Sequence, residues 1–398
     1  MSMPTHRWGA PYRCLAWVLI ASLLAASCAT RNVPPIGAGG KPFKPESDEV
    51  RLWSQAEKEE EALAKKAKIY DDPLLEEYLG KLGDRLLPDE VRAAGGPGFR
   101  FGVMSDPTLN AFAMPNGRVY VHSGLLSRLD NEAQLAMILG HEMTHVTSRH
   151  ALRFTRDATN KQILFTGIGL QLAAIAAING YGRDLEREAD QGGMEKLVRA
   201  GYDPNEAPKV FQLLLSESKD RGSLETFFFG SHPKLQERIT TTTELVNTQY
   251  AAAAAAADRV KTSEEFGLRM RTVVRENALL DIRAGRFKLA QAQLDRVAAI
   301  TPKDPTLHLY YGDLYRLQSQ RARGAADKDD FARKALEHYE RSADLDPAFP
   351  DPFRQLGFLY YQQKETDRAR EAFRKYLALK PDAPDAKRIR EYLVELER

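Results

Sequence analysis

Residues 141–145 read His-Glu-Met-Thr-His and lie in a run whose apolar residues recur every three or four positions. That spacing is typical of a helix, and the triplet at 130–132, Asp-Asn-Glu, is typical of a helix start. Histidines four residues apart lie one turn apart on the same helix face, so both imidazoles can reach one zinc ion. Glu142, beside the first histidine, can then act on the open zinc position. The alternative is a polar helix face with two unrelated histidines.

A zinc site needs a third protein ligand from elsewhere in the chain. Glu186 and Asp190 are four residues apart in a segment that is predicted to be a helix ending near Gly201. One carboxylate can bind the metal, and the other can accept the free ring N–H of a ligand histidine. Glu188 faces away and is interpreted as solvated or ion-paired. An ordinary acidic helix start is the alternative for this segment.

Several further motifs follow in the order of a known family. HEMTH is followed by VTSRH at 146–150, by Glu186-x-x-Ala189-Asp190, and by Ser-His-Pro at 231–233 with Arg238. With NAFA at 110–113 and GRVYV at 117–121, these motifs resemble the HtpX and CAAX-prenyl-protease class of zinc metalloendopeptidases. The resemblance covers about residues 50–245 and implies a short hairpin before the active helix.

The resemblance implies a role for each matching residue. One zinc ion per subunit would be bound by His141, His145 and Glu186. Glu142 would be the general base, Asp190 would orient a ligand histidine, and Arg238 would lie around the ligands. Three protein ligands leave one zinc position for water, which is the arrangement of a catalytic site. Arg149 and His150 also match the family and are interpreted as structural.

Two segments leave alternatives open. His232 would donate to the developing oxyanion or occupy the open zinc position as a latch, and a turn histidine with neither role is the remaining alternative. Residues 163–178 are apolar but interrupted by glycine and polar residues. They are predicted to form a lid or a buried helix, with membrane contact as the alternative.

Short runs of alternating apolar residues at 99–104 and 118–122 predict a hairpin from Arg100 to Ser123. An open strand edge beside the zinc could bind substrate as an added strand, which would give broad sequence tolerance. A strand that is fully paired within its own sheet is the alternative.

The amino terminus is typical of a secretory signal, because Arg7 and Arg13 precede an apolar run from Leu15 to Ala26 that is short for a membrane span. Residues 24–28, LAASC, resemble a bacterial lipoprotein signal. This resemblance implies lipidation of Cys28 and an anchor in the outer membrane, facing the periplasm. A soluble periplasmic or secreted protein with a free Cys28 is the alternative.

Charge and cysteine content exclude other classes of site. The formal net charge is +2 over 398 residues, and the sequence has neither a concentrated basic stripe nor a glycine-rich phosphate loop. Nucleic acid is therefore not expected as a partner. Cys14 lies in the signal and Cys28 would be lipidated, so neither a disulfide nor a cysteine metal site is expected.

The carboxyl-terminal third contains a repeat. Pro302, Pro347 and Pro381 close similar segments, and the last two are one 34-residue period apart, as in tetratricopeptide (TPR) repeats. The last copy has the motif residues Phe353, Leu356, Gly357, Tyr360, Ala369 and Phe373. Small residues would let paired helices approach while aromatic residues fill the space between them. The stack would leave a concave groove for an envelope protein partner.

The predicted fold class is α+β and mainly helical. Residues 1–28 would be the signal, 29–45 a tether, 46–250 the zinc metallopeptidase domain with a small β-sheet, 251–270 an alanine-rich linker, and 271–398 an all-α TPR solenoid. The predicted function is hydrolysis of peptide bonds in misfolded or stalled envelope proteins. A chaperone or assembly factor for outer-membrane proteins with a latched site, and a catalytically silent scaffold, are the alternatives.

Overall fold

A computed structural model describes residues 33–66, 68–160, 182–220 and 235–397. The predicted signal with Cys28, the segment 163–178 and His232 lie outside the described residues.

The amino-terminal part combines helices with four short strands. A 3-10 turn spans Ala38–Gly40 and another spans Pro204–Glu206. The strands are β1 (Ile69–Tyr70), β2 (Arg100–Met104), β3 (Ala111–Ala113) and β4 (Arg118–His122). The helices are α1 (Ser47–Lys66), α2 (Pro73–Leu86), α3 (Asp89–Ala94), α4 (Ser123–Leu126), α5 (Glu132–Thr147), α6 (His150–Asn160), α7 (Arg183–Arg199), α8 (Ala207–Asp220), α9 (Leu235–Asn247) and α10 (Ala251–Ala255).

The sheet is mixed, with the strand order β1-β2-β4-β3. β2 pairs with β4 in parallel and with β1 in antiparallel orientation, whereas β3 pairs with β4 in antiparallel orientation. The prediction that residues 99–104 and 118–122 are the two arms of one hairpin is therefore wrong. The chain leaves β2 for the far edge of the sheet before it turns back, so β3 and β4 form the hairpin. Gly117 turns it with φ +86°, a conformation that favours glycine.

Helix α5 lies at the centre of this part, and all of its 16 residues are buried. Asn131 caps it by accepting a hydrogen bond from the backbone N–H of Gln134 at 3.0 Å, as the helix-start signal predicts. The helix packs against α7 at a pair of glycines. A Cβ atom on Gly193 would lie 3.0 Å from the backbone nitrogen of His141, so a side chain there would push the two backbones apart. The two helices that carry the predicted metal ligands are thus in direct backbone contact.

The carboxyl-terminal part is a stack of helix pairs, which confirms the predicted TPR architecture. Its helices are α11 (Glu264–Arg283), α12 (Phe287–Ile300), α13 (Pro305–Arg321), α14 (Ala325–Leu345), α15 (Pro350–Gln362), α16 (Thr366–Leu379) and α17 (Ala386–Leu396). A Cβ on Gly312 would lie 2.4 Å from the ring of Tyr339, and one on Gly357 would lie 2.4 Å from the ring of Phe373. The small residue of each pair makes room for an aromatic ring of the next helix.

The two parts share a buried polar interface at α11. Arg128 Nη2 lies 2.9 Å from Asp281 Oδ2, and the amide of Asn277 donates to Ser127 Oγ at 3.0 Å. Arg296 donates to the backbone oxygens of Ser127 and Leu129. Helix α11 begins at Glu264 and so crosses the carboxyl-terminal boundary of the linker predicted at 251–270.

The described part of the predicted tether, residues 33–45, is packed on the domain rather than extended away from it. Val33 and Ile36 are buried, and the backbone N–H of Ile36 donates to the carbonyl of Thr147 at 2.8 Å. The backbone N–H of Phe43 donates to Ala94 at 2.6 Å. The buried apolar side chains stabilise the packing of this segment on the domain. The Pro/Gly-rich composition alone indicates an extended tether instead. Among the described helices, none has the length and apolar content needed to cross a membrane.

Candidate metal centre

Three buried side chains from α5 and α7 converge on one point. His145 Nε2 lies 3.1 Å from His141 Nε2. The carboxylate of Glu186 lies 3.6 Å from each of these nitrogens, through Oε2 to His141 and through Oε1 to His145. Their exposed fractions are 1%, 3% and 4% for His141, His145 and Glu186. The structure therefore brings together the three residues predicted as ligands, the one such group found among the described residues.

The spacing of these donors fits a single zinc-sized ion. Tetrahedral ligands about 2.1 Å from a zinc ion lie roughly 3.4 Å from one another. The observed separations of 3.1 and 3.6 Å lie on either side of that value. Two imidazoles and one carboxylate are also a donor set found in catalytic zinc sites. The donor types and their spacing thus fit a single metal ion.

A carboxylate and a guanidinium lie behind the first ligand. Asp190 Oδ1 is 2.9 Å from His141 Nδ1, which donates its proton when Nε2 faces the metal. Arg238 binds the same carboxylate through Nε at 2.9 Å and Nη2 at 2.5 Å, and its guanidinium lies 4.2 Å from the centre of the Phe211 ring. Burial raises the pKa of Asp190, but the charge of Arg238 and the contact with His141 outweigh it and lower the pKa to about 2. Asp190 is therefore ionised and can hold the imidazole in one orientation.

Glu142 is buried at 1% exposure, one residue from the first ligand. Both Glu142 and Glu186 act electrostatically on Arg238, and with Asp190 they keep its pKa raised despite burial. Three buried carboxylates thus act on the one guanidinium beside His141.

The second ligand has a different neighbour, which the sequence interpretation missed. His145 Nδ1 lies 2.8 Å from Nδ1 of His150, a fully buried side chain. Beyond it, His150 Nε2 lies 3.4 Å from Glu188 Oε2, and Arg153 donates to that carboxylate at 2.7 Å. The ion pair to Arg153 agrees with one interpretation given to Glu188. Helix α5 ends at Thr147, and the chain turns at Arg149 (φ 56°), which brings His150 to the side of His145. The sequence signal for this contact was a histidine placed just after the predicted helix.

Arg149 is structural in its contacts. Its guanidinium donates to Glu49 at 2.6 and 2.9 Å and to the backbone oxygen of Pro34 at 3.3 Å. It therefore holds α1 and the packed segment 33–45 against the end of α5.

A buried lysine joins the two ligand helices. Lys196 of α7 donates to Thr144 Oγ1 at 2.8 Å, and that hydroxyl donates to the carbonyl of Gly140 at 2.7 Å. Burial lowers the pKa of Lys196 to about 8. Sequence reasoning gave no role to this residue, because a lysine in an acidic helix is usually solvated.

Comparisons with known proteins agree with this geometry. Residues 73–246 match the sequence model of peptidase family M48, and residues 323–394 match that of the tetratricopeptide repeat. The beta-barrel assembly-enhancing protease of Escherichia coli O157:H7 is 30% identical over 292 residues, covering 68% of this chain and 55% of that protein. The protease of the same name in Yersinia pestis is 33% identical over 176 residues, covering 38% of this chain and 35% of that protein.

A mitochondrial relative is also named as a protease. The mitochondrial metalloendopeptidase OMA1 of Arabidopsis thaliana is 30% identical over 148 residues, which cover 34% of this chain and 29% of that protein. The chain spans about half or less of the length of these relatives. The match to peptidase family M48 at residues 73–246, followed by a match to the tetratricopeptide repeat, agrees with both predictions at the level of domains.

Proposed function

We propose that this protein, with a family M48 domain at residues 73–246, is a zinc-dependent endopeptidase. The single observation that carries the proposal is the convergence of His141, His145 and Glu186 at separations of 3.1 to 3.6 Å. The domain supports metal dependence, and the donor set and spacing favour zinc over ions that prefer six oxygen ligands.

The chemistry that zinc supplies when bound is polarisation of the peptide carbonyl and a lower pKa of water. Glu142 accepts a proton from the attacking water and returns it to the leaving amine. Asp190 and Arg238 keep the His141 ring fixed, so that its Nε2 lone pair stays directed at the ligand position. Because the side chains are buried, their electrostatic effects are stronger than they would be in water.

The edge of the sheet offers a binding place for an extended substrate. β3 is the last strand in the order and packs against α5, which carries the histidines. Met114 donates to Arg118 and His122 donates to Asn110 along the β3–β4 ladder, so alternate residues face β4. The backbone groups of Ala111 and Ala113 therefore point to the other side, where Ala111 is fully buried and Ala113 is partly exposed. A substrate strand would pair at Ala113, through main-chain contacts that place little demand on its sequence.

The substrates we propose are misfolded or stalled proteins of the bacterial envelope, cleaved on the periplasmic face of the outer membrane. Support comes from the name of the Escherichia coli and Yersinia pestis relatives and from the lipoprotein-like residues 24–28. We expect the native protein to sediment with outer membranes and Cys28→Ser to be released into the soluble fraction, as measured by fractionation and immunoblotting. Equal membrane association of the two proteins would contradict the lipid anchor.

The Glu142→Gln variant tests the proposed reaction. It keeps the ligands, so zinc content should stay at one ion per chain, while casein cleavage falls by about 100-fold or more because the general base is lost. Glu195→Gln, an exposed acid on α7, is the matched control and should cleave as the native protein does. Full cleavage by Glu142→Gln, or a native protein without bound zinc, would contradict the proposal.

A second candidate function is assembly of outer-membrane proteins without cleavage. The TPR stack holds a groove of about 710 Å³ whose lining combines the apolar side chains of Leu309, Tyr310 and Phe349 with charged ones of both signs, among them Arg275, Arg354, Glu276 and Asp313. Apolar and charged side chains together suit an unfolded segment of a client protein. If this function dominates, Glu142→Gln should still prevent aggregation of an unfolded porin.

His232, which we propose as a latch or as an oxyanion donor, is tested by the His232→Ala variant. Casein cleavage above that of the native protein favours the latch.

A further inference from the structure

The outer ring nitrogen of the second ligand faces another histidine instead of a carboxylate. His145 Nδ1 lies 2.8 Å from His150 Nδ1, and the two rings meet edge-on at 77° with their centres 4.9 Å apart. At this distance one nitrogen must carry a proton and the other must accept it.

Metal binding decides which nitrogen donates. A neutral imidazole that offers the Nε2 lone pair to a metal has its proton on Nδ1. His145 Nδ1–H must then donate to His150 Nδ1, and the proton of His150 is left on Nε2. That nitrogen faces Glu188 Oε2 at 3.4 Å, and a carboxylate can only accept. Each proton in the series has one consistent position.

The charged end of the series is itself held in place. Arg153 donates to Glu188 Oε2 at 2.7 Å. Glu188 is thus paired with a guanidinium and is a fixed acceptor beside His150 Nε2. The opposite arrangement, in which His150 Nδ1 donates, would put the His145 proton on Nε2, where it blocks the metal.

We propose that His150 and Glu188 are positioning residues that hold His145 in the tautomer whose Nε2 faces the metal site. This inference rests on the proposed zinc-dependent function and adds the means by which the second ligand is oriented. The first ligand is oriented by Asp190 directly.

In the metal-free protein, the side-chain charges of the site favour a neutral partner for the second histidine. Glu142, Glu186 and Asp190 are buried with Arg238 as the guanidinium among them. A fourth buried carboxylate beside His145 would add repulsion in a medium of low dielectric constant. The neutral imidazole of His150 takes that place instead. It accepts the proton of His145 at one nitrogen, and its other nitrogen faces Glu188, a half-buried carboxylate paired with Arg153.

Zinc affinity of the full-length protein gives the first test, with Zn²⁺ in competition with a chromogenic chelator. His150→Leu keeps the volume but removes the acceptor, and affinity should fall about 10- to 100-fold, the range found for partners of metal ligands. His150→Asn places an amide oxygen near the position of Nδ1 and should recover much of the loss. Glu188→Gln should weaken binding, whereas the exposed Glu195→Gln should not.

These affinities separate the possible outcomes. If His150→Leu and Glu188→Gln bind Zn²⁺ within twofold of the native protein, the inference fails while the proposed function stands. If the native protein binds no Zn²⁺, the proposed function fails. An Asn variant as weak as the Leu variant would contradict the acceptor role. Circular dichroism of the metal-free variants is the control that each one folds.

Nitrogen chemical shifts give a test that needs neither metal nor activity. In metal-free native protein labelled with ¹⁵N-histidine, His145 should carry its proton on Nδ1 and His150 on Nε2, as read from long-range ¹H–¹⁵N correlations. His150→Leu should shift His145 towards the Nε2-protonated form. A native His145 protonated on Nε2, or a tautomer unchanged in His150→Leu, would overturn the inference.

Discussion

Lys196 is buried between the two ligand helices, and burial lowers its pKa to about 8 from the usual 10.5. Between pH 8 and pH 10.5 the unfolded chain binds the proton that the folded chain has released, so stability should rise with pH in this range. The whole effect is up to about 3 kcal/mol. Lys196→Met should remove this rise in the free energy of unfolding, measured with urea on metal-free protein.

The exposed Lys288→Met is the matched control for that experiment and should leave the pH dependence as it is in the native protein. A rise between pH 8 and pH 10.5 that persists in Lys196→Met would show that another group causes it.

Single residues also show where sequence reasoning reaches its limit. His141, His145 and Glu186 could be picked out because helical spacing and ligand chemistry are both local in the sequence. Asp190 follows from Glu186 by the same spacing. His150 and Glu188 could not be paired, because their contact depends on how α6 packs beside α7. A helix wheel places Glu188 away from the metal, and it cannot say which side chain it meets there.

At the scale of elements, the helices were more predictable than the sheet. Asn131 marks the start of α5 through a cap that acts within four residues of the chain. The parallel pairing of β2 with β4 depends on where the intervening chain passes, so strand patterns alone gave the wrong hairpin. The contact between Gly140 and Gly193 is likewise a property of two packed helices, and the sequence shows only two glycines.

The edge strand β3 can be tested without touching the metal ligands. Ala113→Pro removes a backbone N–H that points away from β4, on an edge where proline is tolerated. The loss of one substrate hydrogen bond, about 0.5–1.5 kcal/mol, should raise KM for a casein-derived peptide roughly 2- to 10-fold with kcat and zinc content nearly unchanged. Ala113→Ser keeps the N–H and should have the native KM. Equal KM for Ala113→Pro and native protein would exclude pairing at this residue.

The domain that matches family M48 and the TPR region meet through buried charges rather than through a free linker. Asp281 is fully buried and binds Arg128 at 2.9 Å and Arg286 at 2.6 Å. Asn277 and Gln293 donate to the same carboxylate. The composition of the alanine-rich linker predicted a boundary between two domains. It could not predict the buried network, because residues 128, 277, 281 and 293 are far apart in the sequence and share no repeating pattern. A partner bound in the TPR groove would therefore act on a region that is fixed to the domain carrying the candidate metal centre.

Arg128→Met tests whether this network holds the molecule together. The variant leaves Asp281 buried without one of its two cationic partners, and breaking a buried pair of this kind destabilises by about 3 kcal/mol. Urea unfolding should change from one transition to two, because the amino-terminal domain and the TPR region would no longer unfold together. Arg128→Met with Asp281→Asn removes both charges but keeps an oxygen that can accept from Arg286, Asn277 and Gln293, and it should recover part of the loss, which a double-mutant cycle measures. Arg333→Met, which breaks an exposed pair with Glu337, is the control and should change stability by less than about 0.5 kcal/mol. One native-like transition for Arg128→Met would show that apolar packing alone joins the two parts.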